Sequence, residues 1–322
     1  MFNYKMKILV IGASGFIGAF ILESLLKLNC EVYGVGRRIE PWRINSRIGS
    51  RYIHTQSNDI LEILNTIKPN VIMNFSANGA YPFQNNFVNI LNSNLVLLEQ
   101  IARWSTENKA FIIHAGSSSE YGLNSAGPSE DSKANPNSLY SITKLAGSNL
   151  LEFYSRRGLN CVVLRLYSVY GPKEDSSRLM PAVMRGIITK KWPNFTDLSI
   201  SRDFIYIEDV SDLIIKVLRS IKPNGSGSFE IFNVGSGKVT TIKNLIELLQ
   251  ADFGMPDEVN VSFPKRDWDI DNWFARIDKV KETYKWSAES DLKAGLRKMR
   301  DWYLTDNNVK YLSSEYTEKV DE

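Results

Sequence analysis

The chain has 322 residues, 43% of them hydrophobic, which is enough for one large α/β domain or two unequal ones. Its 39 basic and 36 acidic residues leave a net charge of +3, and no long basic run suggests a nucleic-acid or membrane partner. The two cysteines, Cys30 and Cys161, exclude a disulfide framework and lie in no metal-type spacing. We therefore expect a soluble cytoplasmic protein without a bound metal.

The first half alternates apolar runs typical of buried strands with longer amphipathic segments. "KILVIG" precedes the helical pattern "FIGAFILESLLKLN", and "EVYGVG", "NVIMNFSA", "AFIIHAG" and "CVVLRLYSVYG" follow. This order predicts an α/β fold, a doubly wound parallel-sheet Rossmann domain with a smaller mixed α/β substrate lobe. We assign dinucleotide binding to residues 1–170, with a returning segment at 203–237, and substrate binding to 171–202 and 238–322.

A glycine-rich turn, "GASGFIG", joins the first strand to the first helix. Such a turn brings the backbone close to a pyrophosphate, and the helix N-terminus that follows favours an anion. The spacing differs by one residue from the G-x-G-x-x-G fingerprint, and an ordinary strand-to-helix turn is the alternative. The predicted cofactor contacts here are Gly12, Ser14, Gly15, Phe16, Ile17 and Gly18.

The end of the second strand decides between the two nicotinamide cofactors. An NAD site usually places an acid there, whereas an arginine accommodates a 2′-phosphate. This strand ends in Gly36-Arg37-Arg38 without an acid, which favours NADP(H), with NAD as the alternative. After the third strand, Asp59 is placed to accept from the adenine amine or to cap a helix, and Ile60 is included with it as a cofactor contact.

A hydroxyl, a tyrosine and a lysine then appear in a catalytic order. Ser117 ends a strand, and Tyr140 and Lys144 stand four residues apart on one predicted helical face. The ammonium would lower the tyrosine pKa, and the serine would donate to the same substrate oxygen. His114 lies within a core strand and His54 in a polar run, so structural roles are favoured for both.

At this point the chain resembles the extended short-chain dehydrogenase/reductases of the nucleotide-sugar epimerase, dehydratase and reductase group. The matching motifs are "GASGFIG", "KPNVIMNFSAN", "SSSEYG", "YSITK", "LRLYSVYGP", "RDFIYIEDV" and "FNVGSGK", which cover nearly the whole chain. The resemblance assigns Ser117, Tyr140 and Lys144 the family's catalytic positions. It also implies a homodimer formed through two helices, one of which carries Tyr140.

The resemblance further implies contacts with the cofactor and the substrate. Cofactor contacts are expected from Ala77, Tyr167, Tyr140 and Lys144, and substrate contacts from Asn78, Ser118, Ser168, Arg202 and Arg266. The two arginines suit a nucleoside diphosphate; salt bridges to neighbouring aspartates, such as Asp203 or Asp209 for Arg202, are the alternative. The chain departs from the family pattern at Ser168, where asparagine is frequent, at Asn74, usually histidine, and at Arg276, usually aspartate.

Among the family's reactions, the arginine pair favours an NADPH-dependent reductase of a nucleoside-diphosphate 4-keto-(deoxy)sugar, with Tyr140 as the proton donor. The alternative is an NAD(P)-dependent nucleotide-sugar 4-epimerase or 4,6-dehydratase. Ser118 and Ser119 occupy the places of the dehydratase acids, although a slip of one residue would make Glu120 that acid. A non-catalytic dinucleotide-binding protein is less favoured, because the tyrosine and the lysine are both kept.

Overall fold

The structure is a computed structural model that describes residues 6–28, 30–55, 59–195, 197–222, 227–259, 261 and 272–316. The strands are β1 (Lys7–Ile11), β2 (Glu31–Gly36), β3 (Tyr52–His54), β4 (Val71–Asn74), β5 (Phe111–Ser117), β6 (Asn160–Leu166), β7 (Ser168–Tyr170), β8 (Ser201–Arg202), β9 (Phe204–Tyr206), β10 (Ser228–Val234) and β11 (Thr240–Thr241). The helices are α1 (Phe16–Leu25), α2 (Ile60–Ile67), α3 (Phe87–Leu91), α4 (Leu97–Asn108), α5 (Leu139–Ser155), α6 (Leu179–Thr189), α7 (Ile207–Ser220), α8 (Ile242–Phe253), α9 (Asp278–Tyr284) and α10 (Leu292–Leu304).

A seven-stranded sheet in the order β10-β6-β5-β4-β1-β2-β3 forms the centre of the fold. The pairs β1–β2, β1–β4, β2–β3, β4–β5 and β5–β6 are all parallel. The strand order reverses at β1, which places ligands at the carboxyl ends of β1 and its neighbours. The predicted Rossmann-type α/β fold is confirmed.

Continuous apolar strands form because both faces of this sheet are covered by helices. One core cluster joins strand residues to the inner faces of α2, α4 and α5, and α2 shows why. Ile60, Ile63, Leu64 and Ile67 recur at helical spacing, and all four are buried. The polar positions between them are exposed, so α2 packs on the core through one face.

The chain folds into two compact units. Unit 1 comprises Met1–Gly122, Lys133–Leu166 and Ser211–Phe232, and unit 2 comprises Leu123–Ser132, Tyr167–Val210 and Asn233–Glu322. The predicted division left 123–132 in the first domain. This loop groups with unit 2 because Asn233 donates hydrogen bonds to Pro128 O and to Glu130 Oε1. The predicted roles of the two parts remain a prediction.

Unit 2 has an apolar cluster of its own, formed by Phe195, Ile200, Ile242 and Ile246. Its short antiparallel ladder pairs β8 with β11, and β7 pairs with β9 in parallel. Across the described parts of both units, no helix combines the length and the apolar composition that crossing a membrane requires.

Candidate active site

The glycine turn after β1 is shaped by close backbone approach. Gly12 has φ +78°, and a Cβ on it would lie 2.7 Å from the Phe75 carbonyl carbon and from the Ser76 nitrogen. A Cβ on Gly18 would lie 2.2 Å from Gly12 O, so α1 can begin here only with glycine at that position. Gly15 is the N-cap of α1, and no side chain caps it. The first-turn N–H groups and the helix dipole therefore suit a pyrophosphate.

The other residues of the turn divide into two groups. Ser14 is buried, whereas Phe16 and Ile17, the first two residues of α1, are partly exposed. Ser14 O accepts a hydrogen bond from Arg43 Nη1 at 3.4 Å. The turn is thereby tied to the connection between β2 and β3, and the predicted cofactor contacts from these residues remain predictions.

The segment after β2 carries the arginines that favoured NADP(H). Arg37 is exposed and Arg38 is partly exposed, and Tyr52 Oη donates to Arg38 O at 2.8 Å. A third arginine, Arg43, is buried, and its guanidinium carbon lies 4.2 Å from the centre of the Trp42 ring. Sequence reasoning missed Arg43; the available signal was a Trp-Arg pair shortly after a strand end.

Asp59 and Ile60 start α2 in different environments. Asp59 occupies the N-cap position, but its side chain makes no capping hydrogen bond and accepts one from Thr55 Oγ1 at 3.2 Å. The capping alternative is therefore not realised, and the adenine contact stays a prediction. Ile60 belongs to the apolar core, which leaves only its backbone for the predicted cofactor contact.

The loop after β4 is held by an asparagine that sequence reasoning also missed. Ala77 is exposed, whereas Asn78 is buried and exchanges hydrogen bonds with the Asn94 carboxamide through its backbone N–H and C=O, each at 2.9 Å. Asn94 lies in a π-helical turn, Asn92–Val96, between α3 and α4, and it also donates to Thr143 Oγ1. The loop is thus fixed to α5 next to Lys144.

Ser117 is the last residue of β5 and caps a short 3₁₀ turn, Ser118–Tyr121. Its Oγ accepts the Ser119 N–H at 3.1 Å. Because that bond uses the oxygen as an acceptor, the hydroxyl hydrogen is available to donate to a substrate oxygen. The neighbouring Ser118, a predicted substrate contact, is buried.

Glu120 is fully buried beneath this turn and is occupied by three donors. Its carboxylate accepts from Ser117 N–H at 2.8 Å, from Ser148 Oγ at 2.8 Å and from Arg165 Nε at 2.9 Å. Arg165 also donates to Tyr121 Oη at 2.8 Å. A carboxylate held in this way supports Ser117 from below, and the position is not that of an acid that protonates a substrate. This geometry argues against the dehydratase reading of Glu120.

Tyr140 and Lys144 occupy successive turns at the start of α5. Ser138 caps the helix and makes a capping box with Ser141. Tyr140 is half-buried, whereas Lys144 is 2% exposed and donates through Nζ to Ala115 O. Burial lowers the pKa of Lys144 to about 8, although the charge of Glu120 acts in the opposite direction. An ammonium of this kind can stabilise a tyrosine phenolate one turn away.

Two predicted ligand positions of unit 2 are fixed through their backbones. Tyr167 is buried, and its N–H donates to Val234 O at 3.0 Å. Ser168 begins β7, and its N–H donates to Asp203 O at 3.0 Å. The predicted contacts of the Tyr167 side chain with the cofactor and of the Ser168 side chain with the substrate remain predictions. Arg266 lies outside the described residues.

Arg202 lies on β8 with its guanidinium carbon 5.1 Å from the Trp273 ring centre, and Nη1 donates to Ser201 O. The alternative for this arginine was a salt bridge to Asp203 or Asp209. Asp203 accepts from the backbone N–H groups of Ser236, Gly237 and Ala275, and Asp209 accepts from those of Glu289 and Ser290. Both carboxylates therefore stabilise loops of unit 2.

Comparison with known proteins identifies relatives of this chain. Over 335 residues the chain is 29% identical to an uncharacterized UDP-glucose epimerase of Bacillus subtilis, covering 97% of this chain and 99% of the relative. It is 26% identical over 329 residues to UDP-glucuronate 4-epimerase 1 of Arabidopsis thaliana, covering 92% of this chain and 76% of that protein.

Among solved structures, UDP-glucuronic acid 4-epimerase from Bacillus cereus, in complex with UDP-glucuronic acid and NAD, superposes with a TM-score of 0.80 at 27% identity, covering 92% of this chain and 98% of that one. The profile of the NAD dependent epimerase/dehydratase family matches residues 8–235. The predicted resemblance is confirmed, as is the expectation of an enzyme: the chain belongs to the NAD dependent epimerase/dehydratase family.

Proposed function

We propose that the protein is an NAD-dependent 4-epimerase of a UDP-sugar. The observation that carries this proposal is the end of β5, where Ser117 caps the following turn and Lys144, one helical turn after Tyr140, donates to Ala115 O. Glu120 in the same turn is held by three donors. Epimerisation needs one group that takes and returns a single proton, and Tyr140 supplies it. Dehydration needs a further acid, and the structure offers Glu120 no such position. Relatives that align over most of the chain are named as 4-epimerases.

The cofactor proposed is NAD, in place of the NADP(H) that the arginine pair favoured. A solved relative binds NAD, and nothing comparable supports a preference for NADP(H). The residues present fit a dinucleotide, because Gly12 and Gly18 exclude side chains from the turn and leave the uncapped start of α1 to a pyrophosphate. Arg43 is buried beside Ser14, so it stabilises the turn and does not project outward as a phosphate ligand.

In the proposed mechanism Tyr140 removes the proton of the sugar 4-hydroxyl and later returns it. Ser117 donates a hydrogen bond to the same oxygen, and the Lys144 ammonium favours the phenolate form of Tyr140. Bound NAD supplies the acceptor and donor of hydride. Glu120 links Ser117 to α5, because its carboxylate accepts hydrogen bonds from both Ser117 and Ser148.

Substrate binding is proposed for the residues that the family pattern places around a nucleoside diphosphate sugar. Arg202 is the strongest of these, because a guanidinium offers bidentate donation to phosphate oxygens. The complete proposed set is Asn78, Ser118, Ser168, Arg202 and Arg266.

The test is to release the cofactor from the purified protein by denaturation and identify it by chromatography. A second, native sample of the protein is incubated with UDP-glucose or UDP-glucuronic acid, without added cofactor, and the products are separated. We expect co-purified NAD and formation of the 4-epimer, with no product from a Tyr140→Phe control. A protein that holds no NAD, forms no 4-epimer from either sugar and oxidises added NADPH only with a UDP-4-keto-sugar would overturn the proposal and restore the 4-keto-sugar reductase.

A homodimer is proposed on the outer face of α5. Leu139, Ile142 and Phe153 recur there at helical spacing and are all exposed, with Ile142 at 49%. An apolar row of this kind on a surface helix is typical of a protein–protein interface. Ile142→Glu should convert a dimer into a monomer in light scattering coupled to gel filtration. A wild-type protein that is already monomeric at micromolar concentration would contradict the proposal.

A further inference from the structure

His114 is a buried histidine whose surroundings do not match a purely structural role. It lies in the middle of β5, is 1% exposed, and pairs in register with Asn74 on β4 and Val163 on β6. Its Nε2 is 3.3 Å from Lys144 Nζ. Its Nδ1 has no hydrogen-bond partner among the residues that the structure describes.

The hydrogen-bonding chemistry fixes the tautomer of this imidazole. An ammonium group only donates, so His114 Nε2 must be the acceptor and the ring proton must reside on Nδ1. Desolvation by burial, and then the charge of Lys144, lower the pKa of His114 well below its usual 6.5. The ring therefore stays neutral and remains an acceptor throughout the pH range in which the enzyme would work.

This arrangement costs stability, because a buried N–H without an acceptor loses its hydration and gains nothing in exchange. An apolar side chain of similar size would fill the same space in the core without that loss. Among the described groups, Lys144 Nζ is the partner that the ring accepts from. The imidazole thus supplies the lysine with a hydrogen-bond acceptor, which an apolar core residue could not supply.

We propose that His114 is a positioning residue that holds the Lys144 ammonium beside the end of β5 through its Nε2 acceptor. The inference rests on the proposed function, in which Lys144 acts on Tyr140 and contacts the cofactor. Together with Ala115 O, the ring gives the ammonium two acceptors. The hydrogen bond favours the charged lysine and opposes the desolvation that drives its proton off.

The other groups around this pair do not provide the same contact. Glu120, in the 3₁₀ turn, raises the pKa of Lys144 through its charge but is bonded to Ser117, Ser148 and Arg165. Tyr121, in the same turn, is hydrogen-bonded to Arg165 on β6. The β4 neighbour Asn74, whose Oδ1 accepts from Ser76, and Asn94 in the π-helical turn are neutral, and Tyr140 is the titratable group that Lys144 serves.

Two variants separate positioning from packing. His114→Leu removes the acceptor and keeps a buried side chain, whereas His114→Gln offers an amide oxygen where Nε2 lies. In His114→Leu we expect the alkaline limb of the kcat profile to move down by about one pH unit, since a hydrogen bond to a charged group is lost. At pH 8.5 kcat should be about eightfold below wild type, and at pH 6.5 within about twofold. His114→Gln should restore most of the wild-type profile.

A second readout does not need turnover. NAD affinity, followed by protein fluorescence at steps from pH 6.5 to pH 9, should fall with pH in wild type and fall at a lower pH in His114→Leu. Lys144→Met should lose this dependence. The thermal midpoint of His114→Leu should stay close to that of wild type, because the unsatisfied Nδ1 donor is removed while Lys144 loses one of its two acceptors.

The outcomes distinguish this inference from the proposed function. A wild-type protein that epimerises no UDP-sugar would overturn the function, while the NAD titrations would still decide the role of His114. A His114→Leu profile that coincides with wild type would overturn the inference. So would an equal loss at every pH together with a lower thermal midpoint, because that result describes packing alone.

Discussion

The carboxyl ends of β5 and β2 lie at the same edge of one parallel sheet, yet they are built in opposite ways. After β5, Ser117, Glu120 and Lys144 are buried and held by defined hydrogen bonds. After β2, Arg37 is exposed and Arg38 is partly exposed. Hydrogen bonds of buried polar groups fix the geometry of those groups, whereas exposed cations are screened by water. We expect chemistry to depend on the first end and cofactor choice to depend weakly on the second.

The largest effect is expected from Tyr140→Phe. Removing the hydroxyl takes away the only proposed carrier of the substrate proton, so kcat should fall about 1000-fold, within the range of general acid–base catalysis. Tyr140 is half-buried at the start of α5, so the phenyl ring fits the same space. The thermal midpoint should therefore stay at its wild-type value. A variant with more than a tenth of wild-type turnover would remove Tyr140 from the mechanism.

The next effect concerns the buried ion pair of Glu120 and Arg165. Glu120→Gln leaves the buried guanidinium without its counter-charge, and the free energy of unfolding should fall by about 3 kcal/mol. Glu152, which pairs with Arg156 on the exposed side of α5, provides a matched control. Glu152→Gln should cost less than about 1 kcal/mol. Both values come from urea titrations, and equal losses in the two variants would erase the contrast between buried and exposed charges.

A third prediction follows from the pKa of Lys144, which burial lowers from 10.5 to about 8. As pH rises through 8 the folded enzyme loses this proton, the phenolate of Tyr140 loses its support, and kcat should fall. Stability should move in the other direction. Between pH 8 and 10.5 the unfolded chain still holds the proton, so this group makes folding more favourable as pH rises.

The check is to measure kcat and the midpoint of urea unfolding as functions of pH, in the same buffers, from pH 7 to 10. Lys144→Met should remove the contribution of this group from both curves. If kcat and the urea midpoint of wild type decline together, the alkaline loss reflects unfolding rather than the ammonium.

The parts of the site that depend on local chain geometry could be predicted from the sequence. The glycine turn, the strand-end Ser117 and the pair Tyr140 and Lys144 each depend on residues a few positions apart. Whether a one-residue slip would make Glu120 a catalytic acid could not be decided from spacing. The answer required Arg165, which is 45 residues away in sequence and reaches Glu120 only because β5 and β6 pair.

Other residues could not be predicted because only tertiary packing brings them together. Asn94 acquires its role from a π-helical turn that places its carboxamide between Asn78 and Thr143. His114 follows the alternation of any core strand, and its relation to Lys144 depends on how α5 packs on β5. The preference for NADP(H) rested only on the adjacency of Arg37 and Arg38 to a strand end, and adjacency gives no information on side-chain exposure.

The smallest effect is expected at that arginine pair. In a double variant, Arg37→Ala with Arg38→Ala, the affinity for NAD should change by less than about threefold, because exposed charges contribute little to binding a ligand without a 2′-phosphate. Affinity for NADP should fall more, because any attraction of the 2′-phosphate to this edge is lost. Isothermal titration of both cofactors to wild type and variant makes the comparison. If wild type binds NADP more than tenfold tighter than NAD and the variant reverses this order, the end of β2 controls cofactor choice after all, and an NADPH-dependent reductase regains its main support.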